Sequence, residues 1–121
     1  MNETFDVVIV GGGLAGSSTA AVLARAGLDV LVLERETSFR DRVRGEWLAP
    51  WGIAEAEALG VSGVIDSVAH ANLITRHVGY DETLTPDEAE AAAVDFGALG
   101  LPGGGCRGVG HHQLQEALLV H

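Results

Sequence analysis

Two short apolar runs flank a glycine-rich segment near the start of the chain. Residues 6–10 read Asp-Val-Val-Ile-Val, and residues 29–34 read Asp-Val-Leu-Val-Leu-Glu. Nearly continuous apolar runs of this kind are typical of strands that are buried on both faces of a parallel sheet. Between them, small and apolar residues from Leu14 to Ala26 indicate a helix, which Gly27 would end. The pattern predicts an α/β fold with one βαβ unit over residues 6–34 and two parallel neighbouring strands.

The remainder of the chain has weaker periodicity and predicts short elements. Residues 35–48 carry charge without a clear period and are expected to be mostly loop. Thr85, followed by Pro86 and two acids, predicts a helix that runs to about residue 94, because threonine caps a first turn and acids favour its positive end. The other predicted elements are helices over residues 50–59 and 63–69, a strand over residues 73–80, a turn at residues 102–105 and an amphipathic helix over residues 109–120.

The segment from Gly11 to Gly16 satisfies the pattern G-x-G-x-x-G at the junction between the first strand and the helix. In this context Gly11 allows a sharp turn, Gly13 leaves room for a pyrophosphate beside the backbone, and Gly16 lets the helix pack closely on the strand. The free backbone amides of Leu14 and Ala15, together with the helix dipole, would face the phosphates. The arrangement of strand, glycine loop and helix predicts a dinucleotide-binding site.

The second strand ends at Glu34, where a carboxylate can accept hydrogen bonds from both hydroxyls of an adenosine ribose. Its charge would repel a 2'-phosphate, which disfavours NADP at this position unless Arg35 compensates. Arg42 and Arg44 follow within ten residues of Glu34. Because a guanidinium can hold a pyrophosphate through two hydrogen bonds, these arginines favour FAD over NAD.

The composition narrows the class of partner. The chain has 121 residues, with 17 acids against seven basic residues, all arginine, and a net charge of -10. Nucleic acids and anionic membranes are disfavoured, because binding their phosphates requires positive charge. The single cysteine, Cys106, excludes an intrachain disulfide and a thiolate metal cage. The acidic start and the lack of a long apolar run favour a soluble, cytoplasmic protein without a membrane span.

Three stretches of the chain resemble the N-terminal part of FAD-dependent monooxygenases of the aromatic-hydroxylase type. They are residues 6–35, Asp-Arg-Val-Arg-Gly-Glu at residues 41–46, and Arg107 leading into His-His-Gln-Leu-Gln-Glu-Ala-Leu-Leu at residues 111–119. The first stretch is typical of a flavin or nicotinamide Rossmann domain, and the two arginine-bearing stretches favour this flavoprotein superfamily. Residues 66–105 match only loosely.

The resemblance implies that FAD is the cofactor. Its pyrophosphate would lie on the glycine loop, its adenosine ribose on the acid at the end of the second strand, and its phosphate and ribityl region near the second arginine of Arg-x-Arg. In a complete enzyme of this type, NADPH or NADH reduces the flavin, and O2 supplies oxygen to a small organic substrate. The catalytic residues stay unknown. Motif and resemblance together predict these cofactor-binding residues: Gly11, Gly13, Leu14, Ala15, Gly16, Glu34, Arg35, Arg44 and Arg107.

The family's second flavin motif, a Gly-Asp pair, and its substrate sheet would lie after residue 121. We therefore expect residues 1–121 to be the N-terminal portion of a FAD-binding domain, a Rossmann-like half-domain that is inactive alone. Its expected partners are the C-terminal part of the enzyme, the small-molecule cofactor and substrate, and, as an open alternative, further copies of itself. A prenyl-chain reductase and a halogenase of the same superfamily stay open, the halogenase being disfavoured because the chain has no lysine. From another class, a non-catalytic nucleotide-binding or interaction module also stays open.

The remaining polar and aromatic features favour structural roles. His111 and His112 are adjacent and would point about 100° apart on a helix, so a metal site is not expected, and a polar helix start near the cofactor is. Cys106 is expected to be chemically inert. Trp47 and Trp51 are four residues apart and are expected to pack in the core.

Overall fold

The structure is a computed structural model that describes residues 3–41, 47–68 and 72–120. Helices and very short strands alternate along these residues. In chain order they are β1 (Val7–Val10), α1 (Leu14–Arg25), β2 (Val30–Leu33), β3 (Trp47–Leu48), α2 (Pro50–Ala58), α3 (Ser62–Ser67), β4 (Asn72–Ile74), β5 (Arg76–His77), α4 (Pro86–Ala91), β6 (Val94–Asp95), a 3-10 turn (Pro102–Gly104), β7 (Cys106–Gly108) and α5 (His111–Leu119).

The predicted βαβ unit is present. Strands β1 and β2 pair in parallel, in a register that sets Val7 opposite Val30, and α1 connects them. Helix α1 ends as the sequence predicts, because Gly27 has a φ of +87° and its N–H donates to the carbonyl of Ala24. The N–H of Leu28 reaches back to Leu23, which completes a Schellman cap. The α/β class and the Rossmann-like unit are therefore confirmed.

The prediction that the first strand is buried on both faces is wrong for the described residues. Burial alternates along β1, with Val7 and Ile9 partly buried but Val8 52% and Val10 84% exposed. The side chain of Ile9 lies next to Gly16 of α1, so the helix covers that face of the strand. Within the part of the chain that the structure describes, no comparable layer covers the other face.

A second, antiparallel sheet has the order β3-β7-β4, with Arg107 opposite both Leu48 and Leu73. Its central strand, β7, was not predicted. A three-residue strand is too short to show alternation, and the glycines directly before it indicated a turn. The side chain of Cys106 on this strand is fully buried, in agreement with an inert thiol.

The predicted strand over residues 73–80 is two strands. The first, β4, joins β7, whereas β5 pairs with β6 in a separate antiparallel pair. Thr75 lies at the break, where its carbonyl accepts the N–H of Phe96 at 2.6 Å. This pairing also shortens the next helix: α4 ends at Ala91 rather than near residue 94, because the residues from Val94 to Asp95 belong to β6.

The start of α4 agrees with the prediction. The hydroxyl of Thr85 accepts the N–H of Glu88 at 3.3 Å, and the Glu88 carboxylate accepts the N–H of Thr85 at 2.8 Å. These two bonds form a capping box. The pKa of Glu88 is lowered because its carboxylate accepts the N–H and the hydroxyl of Thr85.

The hydrophobic core lies among α2, α3 and α5, outside the βαβ unit. Helix α2 ends at Gly60 as predicted, and Val61 then turns into the core. The residues 62–67 and 111–119 form α3 and α5 within one or two residues of the predicted bounds. The buried cluster consists of Ala56, Val61, Val64, Ile65, Val68, Val109, Leu114 and Leu118.

The tryptophan pair is not part of this core. Trp47 lies on β3 and is 49% exposed, and Trp51 lies on α2 and is 71% exposed. Their rings meet edge to face with centroids 6.1 Å apart. The predicted spacing on one helix fails because a strand, not a helix, carries Trp47.

Candidate functional site

The glycine loop connects β1 to α1 through a turn that a side chain would hinder. The N–H of Gly11 donates to the carbonyl of Leu33 at 2.8 Å, so the loop leaves directly from the parallel pair. Gly11 has a φ of +103°, a region that glycine enters without steric cost. The loop is therefore fixed at the carboxyl end of both strands, which is the edge where doubly wound folds bind ligands.

Two glycines of the loop differ in what surrounds them. A Cβ on Gly16 would overlap the carbonyl oxygen of Gly11 and approach Ile9 at 3.4 Å, so this glycine allows α1 to lie against β1. A Cβ on Gly13 would meet only the side-chain amide of Gln115, at 3.6 Å. The space in front of Gly13 is therefore open enough for a ligand to approach the backbone.

The start of α1 has the features of an anion site. Gly13 occupies the N-cap position in an extended conformation, and no side chain caps the helix within the described residues. The N–H groups of Leu14 and Ala15 belong to the first turn, where a helix offers no internal acceptor. The first turn also contains no acidic residue. Two amides and the positive end of a 12-residue helix are thus available to a phosphate.

Glu34 lies beside this helix start, directly after β2. One carboxylate oxygen accepts the N–H of Gly12 at 2.6 Å, and the other accepts the N–H of Glu36 at 2.8 Å. The bonds from Glu36 and Gly12 lower the pKa of Glu34, so the side chain is ionised at neutral pH. Because a carboxylate offers about four lone-pair positions, two remain for the hydroxyls of a ribose. The residues present therefore fit the adenosine end of a dinucleotide.

A buried serine fixes the back of the loop. Ser17 lies on α1, and its hydroxyl donates to the carbonyl of Gly12 at 3.0 Å. Since the N–H of Gly12 is bound by Glu34, both backbone polar groups of this glycine are hydrogen-bonded to side chains of the βαβ unit. The sequence motif did not single out Ser17 or Gly12, although burial of a polar residue on a small-residue helix face is a signal that can reveal such a contact.

A cavity of about 330 Å³ opens next to Glu34. This volume is within the range of ligand pockets, about 300 to 1,000 Å³. One wall is the loop that follows β2, and the other is the start of α5. The lining residues are Glu34, Arg35, Glu36, Ser38, Phe39, Arg40, His111 and Gln115. The polar start of α5 was expected near the cofactor, whereas the contributions of Ser38, Phe39, Arg40 and Gln115 had no periodic signal in the sequence.

The predicted arginines are distributed unevenly around this cavity. Arg35 lies on its rim, with a highly exposed side chain 3.0 Å from Glu36. Arg44 lies outside the described residues. Arg107 is on β7, where its 15%-exposed side chain donates to Asp66 and to the carbonyl of Gly103, both at 3.1 Å. The structure thus brings together the glycine loop, Glu34 and Arg35, whereas Arg107 is not among the residues that line the cavity.

Other kinds of site find little support in the described residues. These residues contain no group of three or more His, Cys, Asp and Glu side chains able to hold a metal ion. Among the helices in the same residues, none combines the length and apolar character that a membrane crossing requires.

The glycine turn, the uncapped helix start and the carboxylate define a dinucleotide-binding α/β protein. Comparison with known families matches residues 4–117 to the FAD binding domain family, and the chain belongs to that family. FAD is therefore its cofactor, as the sequence predicted.

Two of the similar curated proteins are a bacterial and a fungal enzyme. The chain is 42% identical to the menaquinone reductase of Mycolicibacterium smegmatis over 82 residues, which cover 67% of this chain and 20% of that protein. It is 41% identical to the squalene epoxidase of Schizosaccharomyces pombe over 63 residues, which cover 52% of this chain and 14% of that protein. The chain thus spans about a fifth or less of the length of these relatives.

Solved structures show the same fold. The p-nitrophenol 4-monooxygenase of Pseudomonas putida superposes with a TM-score of 0.77 at 23% identity, covering 100% of this chain and 30% of that one. A ternary complex of aklavinone-11 hydroxylase with FAD and aklavinone superposes with a TM-score of 0.68 at 26% identity, covering 99% and 24%. The chain is therefore a FAD-binding domain of the kind found in flavin monooxygenases.

Proposed function

We propose that this chain binds the ADP portion of FAD for a flavin-dependent monooxygenase that uses NADPH or NADH and O2 on a small organic substrate. The observation that carries the proposal is the position of Glu34, tied to the glycine loop and facing the cavity beside the open start of α1. Bound FAD supplies the redox and oxygen-activating chemistry. The residues of this chain bind and orient it.

Each part of the site has a distinct proposed role. The amides of Leu14 and Ala15 bind the pyrophosphate, and Gly13 lets it approach. Glu34 accepts the ribose hydroxyls. Arg35 lies on the rim and adds positive charge.

Two further contacts are proposed from the family resemblance alone. Arg44 is proposed to approach the phosphate and ribityl region. Arg107 is proposed to contact FAD through guanidinium N–H groups that its bonds to Asp66 and Gly103 leave unused.

The lowered pKa of Glu34 also supports the choice of cofactor. An ionised carboxylate at the ribose repels a 2'-phosphate, so the site favours FAD over NADP. NADPH would then act only as a transient reductant, bound elsewhere in a complete enzyme.

A reductase of a prenylated substrate is the second candidate. It is favoured by the similarity to a menaquinone reductase at 42% identity. For either activity, we propose that regions corresponding to the uncovered parts of the relatives supply the flavin-ring and substrate pockets, and that residues 1–121 do not turn over alone. In a complete enzyme that contains this chain, O2 consumption during product formation separates the two candidates, since only the monooxygenase requires it.

The test is a titration of the purified chain with FAD, followed by flavin fluorescence and absorbance. We expect saturable binding that ADP displaces, and at least about tenfold weaker displacement by ADP carrying a 2'-phosphate, because an unpaired charge is brought beside Glu34. Binding of FAD that ADP fails to displace would contradict the assigned orientation. No binding at all would leave a non-catalytic interaction module as the better description.

A further inference from the structure

The start of α5 carries an imidazole nitrogen whose surroundings are unusual. Nδ1 of His112 is inaccessible to solvent and has no hydrogen-bond partner among the described residues. Such nitrogens are rare in folded proteins because an unsatisfied buried polar atom is unfavourable. Its ring packs against Gly110, where a Cβ would meet the ring at 3.4 Å. The orientation of the ring is therefore constrained by the helix that carries it.

One carboxylate lies close to this nitrogen. Oδ1 of Asp41 is 3.4 Å from Nδ1 of His112, within ion-pair distance but too long for a good hydrogen bond. A charge-assisted bond between these groups is about 2.8 Å long, so a closure of roughly half an ångström would form it. Asp41 is 75% exposed and His112 is 24% exposed, which leaves the aspartate free to make this small movement.

This pair connects the two walls of the cavity. Asp41 directly follows Arg40, which lies on one wall, and His112 follows His111, which lies on the other. We propose that His112 and Asp41 are a positioning pair, in which Nδ1 of the imidazole donates to the carboxylate, draws the loop of residues 35–41 toward α5 and closes the adenosine cavity around bound FAD. This inference rests on the proposed function of the cavity.

Asp41 supplies the acceptor that Nδ1 of His112 otherwise lacks among the described residues. On the cavity walls the other titratable groups are Glu34, Arg35, Glu36, Arg40 and His111. On α5 itself the remaining one is Glu116.

Two further helices pack against α5, and the one charged residue of each is hydrogen-bonded elsewhere. The only charged residue of α1 is Arg25, which donates to the carbonyls of Leu59 and Gly60. The only charged residue of α3 is Asp66, which binds Arg107. Asp41 is therefore the carboxylate placed to accept a hydrogen bond from His112.

The size of the effect follows from the exposure of the pair. A pair in which the carboxylate is well exposed contributes about two- to fivefold to an equilibrium constant. FAD binding should therefore depend on each of the two side chains by about that factor.

The experiment compares FAD affinity in the wild type and four variants. His112→Leu and Asp41→Asn should each weaken binding about two- to fivefold. The double variant should bind no more weakly than either single variant, because both remove the same interaction. Asp87→Asn is the matched control, since Asp87 is an exposed aspartate on α4, and it should retain wild-type affinity. Additive losses, or wild-type affinity in Asp41→Asn, would overturn the pairing.

A measurement without FAD separates this inference from the proposed function. The Nδ1–H proton of His112 can be followed by NMR in the wild type and in Asp41→Asn. A slowly exchanging Nδ1–H signal that the variant loses supports the pair even if the wild type binds no FAD, in which case the cofactor role fails and the pair stands as a structural contact. The same Nδ1–H exchange in both proteins overturns the pair whether or not FAD binds.

Discussion

The βαβ unit and the helical core of this protein contrast in how they are stabilised. The unit of residues 6–34 carries the ligand-binding geometry, yet Val8 and Val10 on its first strand are exposed, and the backbone N–H and carbonyl of Gly12 in its loop are bound by Glu34 and Ser17. The core of α2, α3 and α5 has no recognisable motif, yet it contains most of the deeply buried side chains. The recognisable sequence motif and most of the buried side chains therefore lie in different parts of one chain.

The two walls of the cavity are held in place by different kinds of interaction. The glycine loop is held by hydrogen bonds and close backbone contact, whereas α5, which forms the second wall of the cavity, is held by burial of Leu114 and Leu118. Substitutions in the core should therefore lower stability in general, and substitutions in the loop should change binding first.

The largest effect is expected from shortening a buried side chain in the core. Ile65→Ala should lower the free energy of unfolding by about 2 to 5 kcal/mol, because it removes a buried side chain and leaves a cavity. Chemical denaturation followed by circular dichroism measures the change.

Two variants control this result. Ile65→Val should cost only about 0.5 to 1.5 kcal/mol. Val10→Ala, on the exposed face of β1, should change stability by about 0.5 kcal/mol or less. An equal loss from Val10→Ala would show that the βαβ unit is as tightly packed as the core, contrary to the contrast drawn above.

The next effect is expected in the loop. Gly16→Ala places a Cβ against the carbonyl oxygen of Gly11 and forces α1 away from β1. Affinity for FAD should fall by about ten- to hundredfold, the range expected from overpacking. Isothermal titration calorimetry with FAD measures the loss.

Gly63→Ala is the matched control for this substitution. A Cβ on Gly63 meets no atom within 4 Å, and the residue lies inside α3, so alanine should stabilise the fold by about 0.5 to 1 kcal/mol and leave FAD affinity unchanged. Similar losses of affinity in both variants would exclude the specific role of close packing at Gly16.

A smaller change is expected at the carboxylate. Glu34→Gln should weaken FAD binding by about tenfold, because a charged acceptor for the ribose becomes neutral. Glu57→Gln, on the exposed side of α2, should have no effect. Wild-type affinity for FAD after Glu34→Gln would remove Glu34 from the site.

The same residue sets the behaviour at low pH. The folded-state pKa of Glu34 is lowered. The stabilising contribution of its ionised carboxylate is therefore complete above the ordinary glutamate range near pH 4.3, and it is lost as the pH falls through the lower folded value. FAD affinity measured between about pH 6 and pH 3 should therefore decline only at the acidic end. Glu34→Gln should flatten this acidic decline, and an unchanged decline would assign it to another group.

The smallest effect is expected far from the cavity. Thr85→Ala removes the cap of α4 and should cost about 1 kcal/mol of local stability without affecting FAD binding. Hydrogen exchange of the α4 amides measures it, and Thr85→Ser should restore protection, since serine retains the accepting hydroxyl. Loss of FAD affinity in Thr85→Ala would show that α4 is coupled to the cavity.

The sequence predicted those features that depend on neighbouring residues. The turn at Gly11, the end of α1 at Gly27 and the position of Glu34 follow from local conformation and fixed spacing, and the structure has them. It did not predict β7 or the division of residues 73–80, because two- and three-residue strands are determined by partners distant in the chain.

The same limit applies to the cavity. Gln115 lies 3.6 Å from the position of a Cβ on Gly13, although about a hundred residues separate them, and no local pattern indicates this proximity. Arg107 shows the converse, because a resemblance assigned it to FAD whereas the structure pairs it with Asp66. Long-range packing, rather than residue type, decides both positions.

The bond from Gly12 to Glu34 has a consequence for redesign of the cofactor preference. Replacing Glu34 with a small or basic residue to admit a 2'-phosphate would also leave the buried N–H of Gly12 without its acceptor. Cofactor selectivity and the conformation of the glycine loop therefore depend on the same residue. A variant that accepts a 2'-phosphate needs a second substitution that supplies a new acceptor to the Gly12 amide.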